Sequence, residues 1–281
     1  MSKFLPSTAS PWLKSRVLFA DSKLLVLNKP PNFLCQLDRK ANSAERTVYN
    51  LNRAFKDIQT CFELKEGPYS VHRLDKARVG TTGCLVVPLN HKTAKSLSNQ
   101  FQSEGAVRKS YLALVRGGPK TFANSSGKIS EPILYEDGRG LLDPDGKRAL
   151  TEWDVVASSP KCPVSLLKLN LITGNKHQLR IHLAKALGAP VLGDSLYSSK
   201  ALHSSITEHT SIPEGRIFLH ASSISFPRYA KDGRQYRMEV YAPLPSDFWM
   251  TCQNLEIPLP DKRWVNGAVI NDNDESHPTA A

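Results

Sequence analysis

The stretch that decides the fold is SLLKLNLITGNKHQLRIHLAKALGAPVLGD, residues 165–194. It begins with an alternating apolar pattern, which is typical of a strand with one buried face. A turn at 173–176 and a helix follow, and Gly188 and Pro190 end that helix. Its apolar stripe is predicted to comprise Leu179, Leu183, Ala186 and Leu187. The segment therefore predicts a strand, a turn and a helix that packs back on a sheet.

Outward from this segment the chain mixes short strands with amphipathic helices. Residues 16–31 predict two strands around a tight turn, and residues 45–56 predict a helix. Asn90 is a candidate N-cap for the next helix, and residues 107–117 alternate as a strand. Strands do not alternate regularly with long helices, which argues against a doubly wound parallel sheet. The predicted class is α+β, with a mixed, largely antiparallel sheet and flanking helices.

Three later segments complete the prediction of local structure. Residues 118–150 are rich in Gly, Pro and Asp and predict hairpins or a loop excursion. Residues 198–216 are a polar, Ser-rich insertion, and residues 235–245 predict the last strand.

Composition limits the class of protein. The 281 residues carry 37 Lys and Arg against 26 Asp and Glu, a formal net charge of +11. Such a balance favours a polyanionic partner such as nucleic acid, although a basic protein without one is the alternative. The five cysteines lie far apart without a C-x-x-C pair, so neither a zinc site nor a disulfide framework is expected. No apolar run approaches the ~18 residues of a membrane span.

The segment VHRLDKARVGTTGCLVV, residues 71–87, places one acid among basic side chains. Positive neighbours lower the pKa of a carboxyl group, so Asp75 is expected to be ionised. An ionised carboxylate suits a nucleophile or a stabiliser of positive charge, and it does not suit a general acid. The alternative is a surface turn with a local salt bridge.

Two basic residues stand three apart at the start of the predicted helix. His177 and Arg180 share the flank away from the apolar stripe, from which Arg180 can reach a carboxylate on another segment. The alternative is a solvated basic face. His177 and His182 are five apart, which splits them between helix faces, and no metal site is predicted.

An aromatic residue follows a basic pair on the strand at 107–117. Tyr111 shares its face with Ala113 and Val115, while the intervening leucines point the other way. Its ring can stack on a nucleobase while Arg108 and Lys109 hold phosphates. The alternative is an ordinary strand tyrosine with its hydroxyl at the rim.

Together the segments resemble one family. The motifs LLVLNKPPNFLC, HRLD with a following TTG, RKSYLALVRG, GNKHQLRIHLAKALGAPVLGDSLY, LHASSISF and YAPLPSDF occur in that order between about residues 16 and 248. They are similar to motifs of the RluA-type RNA pseudouridine synthases. The resemblance implies the pseudouridine synthase fold with an RNA-binding cleft. It also implies an isomerase that detaches uracil from ribose, rotates it and rejoins it through C5 without cofactor or metal.

The resemblance assigns roles by motif. Asp75 matches the catalytic aspartate, Arg180 matches the arginine that pairs with it, and Tyr111 matches the active-site tyrosine against the uracil. Arg73 matches the residue thought to fill the gap left by the extruded base, and Leu179 matches the family's apolar pocket residue. The remaining substrate-binding candidates of the same motifs are His72, Lys109 and His177.

Three features depart from the family pattern. Thr81-Thr82-Gly83 begins six residues after Asp75 instead of three, which implies a three-residue insertion or an alternative register at 78–80. Asn175 stands where the family usually has arginine. The insertion at 198–216 is longer than usual.

The resemblance also sets expectations for domains and substrate. We expect an N-terminal tail or mitochondrial targeting segment at 1–15, a catalytic domain at 16–250 and a partly disordered extension at 251–281. The acid-free, Ser-containing start and the lack of an S4-type RNA-binding domain favour a mitochondrial enzyme acting on large-subunit rRNA. The alternatives are a tRNA enzyme, a cytoplasmic or nuclear location, and a non-catalytic RNA-binding or assembly factor. No protein partner is predictable from the sequence.

Overall fold

In the computed structural model, residues 5–35, 50–72, 80–136, 138–198 and 200–272 are described. The helices in these ranges are α1 (Pro11–Arg16), α2 (Leu51–Cys61), α3 (His91–Gln102), α4 (Gln178–Ile181), α5 (Ser204–His209), α6 (Ser246–Asn254) and α7 (Arg263–Asn266). No helix in this part of the chain is long and apolar enough to cross a membrane.

Twelve strands occur in the same ranges. They are β1 (Val17–Ala20), β2 (Leu24–Lys29), β3 (Thr82–Pro88), β4 (Arg108–Arg116), β5 (Ser126–Ile129), β6 (Ile133–Glu136), β7 (Arg139–Leu142), β8 (Thr151–Ser158), β9 (Val164–Leu171), β10 (Leu219–Tyr229), β11 (Gln235–Tyr241) and β12 (Ala268–Asp272). Ten form one sheet in the order β1-β2-β3-β10-β4-β9-β8-β5, with β11 and β12 added beside β10, and β6 and β7 form a separate hairpin.

The sheet is antiparallel except where β3 meets β10. That parallel pairing joins Thr82 to His220 and Gly83 to Ala221. The α+β class and the largely antiparallel sheet predicted from the sequence are therefore confirmed.

Central strand β4 separates two layers of the core, as its alternation predicts. Tyr111, Ala113 and Val115 pack on one face with residues of α4, and Leu112 and Leu114 pack on the other with residues of α6. The predicted cap of α3 is also present, because the Asn90 side chain accepts a hydrogen bond from the Thr93 amide at 2.9 Å.

The helix after β9 differs from its prediction. Only α4 is α-helical, and residues 182–186 continue as a wider π-helix in which the Leu187 amide donates to the His182 carbonyl. Leu179 and Leu183 are buried as predicted. Ala186 was predicted on the apolar stripe but is exposed, because the angular spacing of residues in the wider turn differs from that of the predicted α-helix.

Both ends of the described chain pack on the main sheet. In the predicted N-terminal tail, α1 packs against α2 and buries Leu13, and the Trp12 ring stacks on Phe33 with centroids 5.4 Å apart. In the predicted C-terminal extension, β12 pairs with β11. The prediction of 235–245 as the last strand is therefore wrong, because β12 follows it.

Candidate active site

A cavity of about 500 Å³ opens on the face of the sheet that carries Tyr111. Its lining includes six of the eight site residues predicted from the sequence: His72, Lys109, Tyr111, His177, Leu179 and Arg180. These residues are spread over more than 100 positions of the chain. The fold therefore gathers the motifs at one place, large enough for a nucleoside.

The floor of the cavity comes from the central strands. Lys109 and Tyr111 lie on β4, and Leu219 lies at the start of β10 beside them. Tyr111 is buried, so its side chain is largely shielded from solvent. Burial lowers the pKa of Lys109, because desolvation disfavours the ammonium form.

Arg180 is held on the β9 side by a buried ion pair with Asp194. Its Nε and Nη2 each donate to the carboxylate at 2.7 Å, and the side chains of Arg180 and Asp194 are only 3% and 0% exposed. The Asp194 carboxylate also accepts from the amides of Leu196 and Tyr197. The solvated basic face considered for Arg180 is therefore wrong, because another segment supplies a carboxylate to it.

Tyr197 connects Arg180 to His177. The Arg180 guanidinium carbon lies 5.2 Å from the centre of the Tyr197 ring, and the Tyr197 hydroxyl lies 3.0 Å from His177 Nδ1. His177 has a φ of 52° at the start of α4, which turns the chain sharply from the preceding loop into the helix. Arg180 and His177 thus share one support, although they come from opposite ends of a short helix.

His72 is fixed in its neutral form on the β3 side. The Val86 amide donates to its Nε2 at 2.8 Å, and its ring stacks on Phe101 with centroids 4.6 Å apart. Burial, together with the charge of Lys109, lowers the pKa of His72 to about 3. His72 therefore lines the cavity as an uncharged imidazole.

Residues on both sides of Asp75 in the chain lie at the cavity. Residues 70–72, which precede Asp75, and Thr81, which follows it, belong to the lining. Asp75 and Arg73 lie outside the described residues, so their predicted roles and the predicted insertion stay predictions.

Sequence reasoning missed the side chains that support the site. Asp194 stands in the quoted motif GAPVLGD, but nothing in its pattern identified it as the partner of Arg180. Arg216 was also missed: its Nη1 donates to the Gly80 carbonyl at 2.8 Å, and its Nε donates to Asp247 at 2.6 Å. Arg216 thereby connects Gly80, five residues after Asp75, to the start of α6.

The histidine considered as a metal ligand is occupied otherwise. His182 Nε2 lies 3.0 Å from the Glu131 carbonyl, and its Nδ1 lies 2.9 Å from the Thr151 hydroxyl. Among the residues that the structure describes, no group of three or more His, Cys, Asp or Glu is arranged to hold a metal ion.

Comparison with known proteins identifies the class. Residues 23–185 match the RNA pseudouridylate synthase family. The chain is 34% identical to an uncharacterised RNA pseudouridine synthase of Zymomonas mobilis over 244 residues, which cover 85% of this chain and 97% of the relative. It is 30% identical to the dual-specificity RNA pseudouridine synthase RluA of Escherichia coli K12, covering 78% of this chain and 90% of that protein.

Solved structures agree with the sequence matches. The human protein RNA pseudouridylate synthase domain containing 4 superimposes with a TM-score of 0.67 at 25% identity, over 89% of this chain and 96% of that one. The human protein RNA pseudouridylate synthase domain containing 1 gives a TM-score of 0.59 at 26% identity, over 82% and 83% of the two chains. The chain therefore belongs to the RluA-type RNA pseudouridine synthases, isomerases that convert uridine to pseudouridine in RNA.

Proposed function

We propose that Asp75 is the catalytic carboxylate of this isomerase, that Arg180 keeps it charged and that Tyr111 packs against the uracil. The observation that carries the proposal is the shared cavity, which Tyr111, Arg180 and Leu179 line together with residues on both sides of the Asp75 segment. Three residues of chain span at most about 11 Å. Connectivity alone therefore keeps Asp75 close to His72, which lines the cavity.

Arg180 can hold Asp75 and Asp194 at the same time. A guanidinium offers five N–H donors, and Asp194 accepts from two of its nitrogens. In the proposed arrangement, Asp194 fixes the plane of the guanidinium and another of its edges faces Asp75. The permanent charge of arginine then keeps the Asp75 carboxylate ionised when the site is desolvated.

An ionised Asp75 suits the chemistry. Cleavage of the bond between uracil and C1′ leaves positive charge on the ribose or requires a nucleophile, and a carboxylate serves either role. The buried Tyr111 side chain presents an aromatic face to the base in this arrangement. The target uridine must leave its stack to reach this cavity.

We propose large-subunit rRNA as the substrate, with a mitochondrial location suggested by the acid-free first residues. The relatives support an RNA of this kind, because one of them is named as a ribosomal large subunit pseudouridine synthase. A tRNA substrate is the alternative. A non-catalytic assembly factor is the rival function, and the presence of Asp75, Tyr111 and Arg180 argues against it.

The experiment for the catalytic roles is tritium release from transcripts labelled at C5 of uridine. Wild-type protein is expected to release tritium, and Asp75→Ala is expected to lose at least about 10³-fold in rate, as for loss of a covalent or electrostatic catalyst. Asp145→Ala, at an exposed turn, is the matched control and keeps the wild-type rate. Wild-type protein that binds RNA without releasing tritium establishes the assembly factor instead.

The substrate is tested by mapping pseudouridine in total RNA from cells with and without the gene. A site in mitochondrial large-subunit rRNA that disappears on deletion supports the proposal. A lost site in tRNA or in cytoplasmic rRNA overturns it. Imaging of a C-terminally tagged chain tests the location separately.

A further inference from the structure

One ion pair joins the two sides of the candidate active site. Arg148 Nη1 donates to Glu104 Oε2 at 2.6 Å. Glu104 lies just beyond α3, whose Phe101 lines the cavity. The Arg148 carbonyl accepts from Asn175 Nδ2 at 2.8 Å, and Asn175 lines the cavity on the β9 side. The pair therefore connects the α3 side of the cavity to the turn that precedes α4.

This ion pair contributes little to the stability of the fold. The side chains of Arg148 and Glu104 are 65% and 52% exposed. An exposed pair of this kind contributes little, because water and salt screen the attraction. The guanidinium can therefore leave Glu104 for another anion at small cost.

The site surrounding the pair favours an anion. Lys109 and Lys176 line the same cavity, and Asn175 contributes no charge at its turn. The Arg148 backbone carbonyl accepts from Asn175, and its guanidinium is held by Glu104, so a cation that this turn lacks is supplied by the adjoining chain. Carboxylates and phosphates accept from the same face of a guanidinium, so Glu104 occupies a position that suits an RNA phosphate.

We propose that Arg148 binds a backbone phosphate of the RNA next to the target uridine, and that Glu104 holds the guanidinium in place until the phosphate displaces it. The proposal rests on the RNA substrate of the enzyme and adds a binding residue outside the motifs that identify the family. Glu104 is then an internal competitor for the phosphate, and removing it strengthens RNA binding through Arg148 alone.

A double-mutant cycle tests whether the effect of Glu104 on RNA binding depends on Arg148. Binding of a labelled large-subunit rRNA transcript is measured for wild type, Glu104→Gln, Arg148→Ala and the double variant, whether or not the transcript is converted. Arg148→Ala is expected to weaken binding about tenfold and to reduce the slope of log affinity against log salt by about 0.7–0.9. Glu104→Gln is expected to tighten binding about threefold, and to have no effect when Arg148 is alanine.

The control is a second exposed pair far from the cavity. Arg234 and Asp232 are joined at 2.8 Å with side chains 72% and 52% exposed, in the turn after β10. Lys109, which lines the cavity, pairs with Ile224, five residues before the end of that strand at Tyr229. Tyr229 is about 17 Å from that position at the rise of an extended strand, and the control pair lies beyond Tyr229. Asp232→Asn removes the same charge and is expected to leave RNA affinity within about twofold, because this distance exceeds the screening length of about 8–10 Å.

Two outcomes overturn the proposal. If Glu104→Gln tightens binding equally in the Arg148→Ala background, Glu104 only repels RNA at a distance. If Arg148→Ala leaves both affinity and salt slope unchanged, no phosphate binds there. Tritium release by the wild type is measured in parallel, so that failure of the catalytic proposal is seen separately from failure of this one. Thermal unfolding of all variants confirms that the fold is intact.

Discussion

Arg180 and Asp194 face each other in a buried, two-bond ion pair that joins the helix after β9 to the loop before the Ser-rich insertion. Both bonds measure 2.7 Å, and neither side chain reaches solvent to any extent. Such a pair orients the guanidinium in one plane, which a single flexible contact does not do. The site thereby gains an arginine whose position is fixed before RNA binds.

Breaking this pair from the carboxylate side is expected to destabilise the protein strongly. Asp194→Asn keeps the shape but leaves a buried guanidinium without its counter-charge, which costs about 3–5 kcal/mol. Urea unfolding measures the loss. The double variant Arg180→Met/Asp194→Asn contains no such uncompensated charge and is expected to be more stable than Asp194→Asn alone. A double variant that is less stable than Asp194→Asn would contradict the electrostatic explanation.

Gly83 is required by the close approach of β3 to β10. Its φ is +107°, and an added Cβ would lie 2.2 Å from the Ala221 carbonyl oxygen, which is backbone and cannot move aside. Gly83→Ala is therefore expected to cost at least about 3 kcal/mol in unfolding free energy, from strain and overlap together.

Substitution of Gly105 measures the backbone strain without the steric overlap. It also has a positive φ, +76°, but an added Cβ meets nothing within 4 Å. Gly105→Ala is expected to cost about 1 kcal/mol from backbone strain alone. Equal losses for Gly83→Ala and Gly105→Ala in the same denaturation assay would show that contact with β10 contributes nothing.

The sequence predicts local elements of this fold well. The faces of β4 and the Asn90 cap follow from residue spacing, which local backbone geometry determines. The partner of Arg180 could not be predicted, because an ion pair between residues distant in sequence produces no periodic pattern of residue types. The π-helical turn after α4 was missed for a related reason. The turn begins at His182, whose ring contacts Thr151 and Glu131, and the apolar pattern gives no indication of these contacts.

The candidate site was predictable mainly through resemblance. Taken one at a time, Tyr111 and Arg180 are equally compatible with ordinary surface roles, and only their order along the chain indicated a common site. Asp194 lies inside a quoted motif and Arg216 lies outside the motifs, but the sequence pattern assigned neither of them a role in supporting that site. Residues that position other side chains through hydrogen bonds are recognised only when interatomic distances are known.

His220 is expected to make the protein sensitive to acid. Its Nε2 donates to the Ala242 carbonyl and its Nδ1 accepts from the Thr82 hydroxyl, so the buried ring is neutral. Burial lowers its pKa to about 4, whereas an unfolded histidine has its ordinary value of 6.5. Between these values the unfolded chain binds a proton that the folded protein does not. Stability is therefore complete above about pH 6.5 and falls by about 3 kcal/mol in total as the pH decreases to about 4.

Urea unfolding at pH 7.5, 6.0 and 5.0 measures this loss, and NMR titration of the His220 ring assigns it. The exposed His91 is the control position. His91→Gln is expected to leave the dependence on pH unchanged. A His220 ring that titrates near pH 6.5 in the folded protein would refute the explanation.

The N-terminal helix is expected to be an integral part of the fold. Leu13 on α1 is 0% exposed and belongs to the core formed with α2 and the strands β2 and β3. Leu13→Ala removes that buried side chain and is expected to lower the unfolding free energy by about 2–5 kcal/mol. Lys14→Ala, one residue further on and exposed, is the matched control and is expected to change it by less than about 0.5 kcal/mol. Deletion of residues 1–16 then lowers the melting temperature at least as much as Leu13→Ala. Stability unchanged by the deletion would instead mean that this segment is dispensable for the fold.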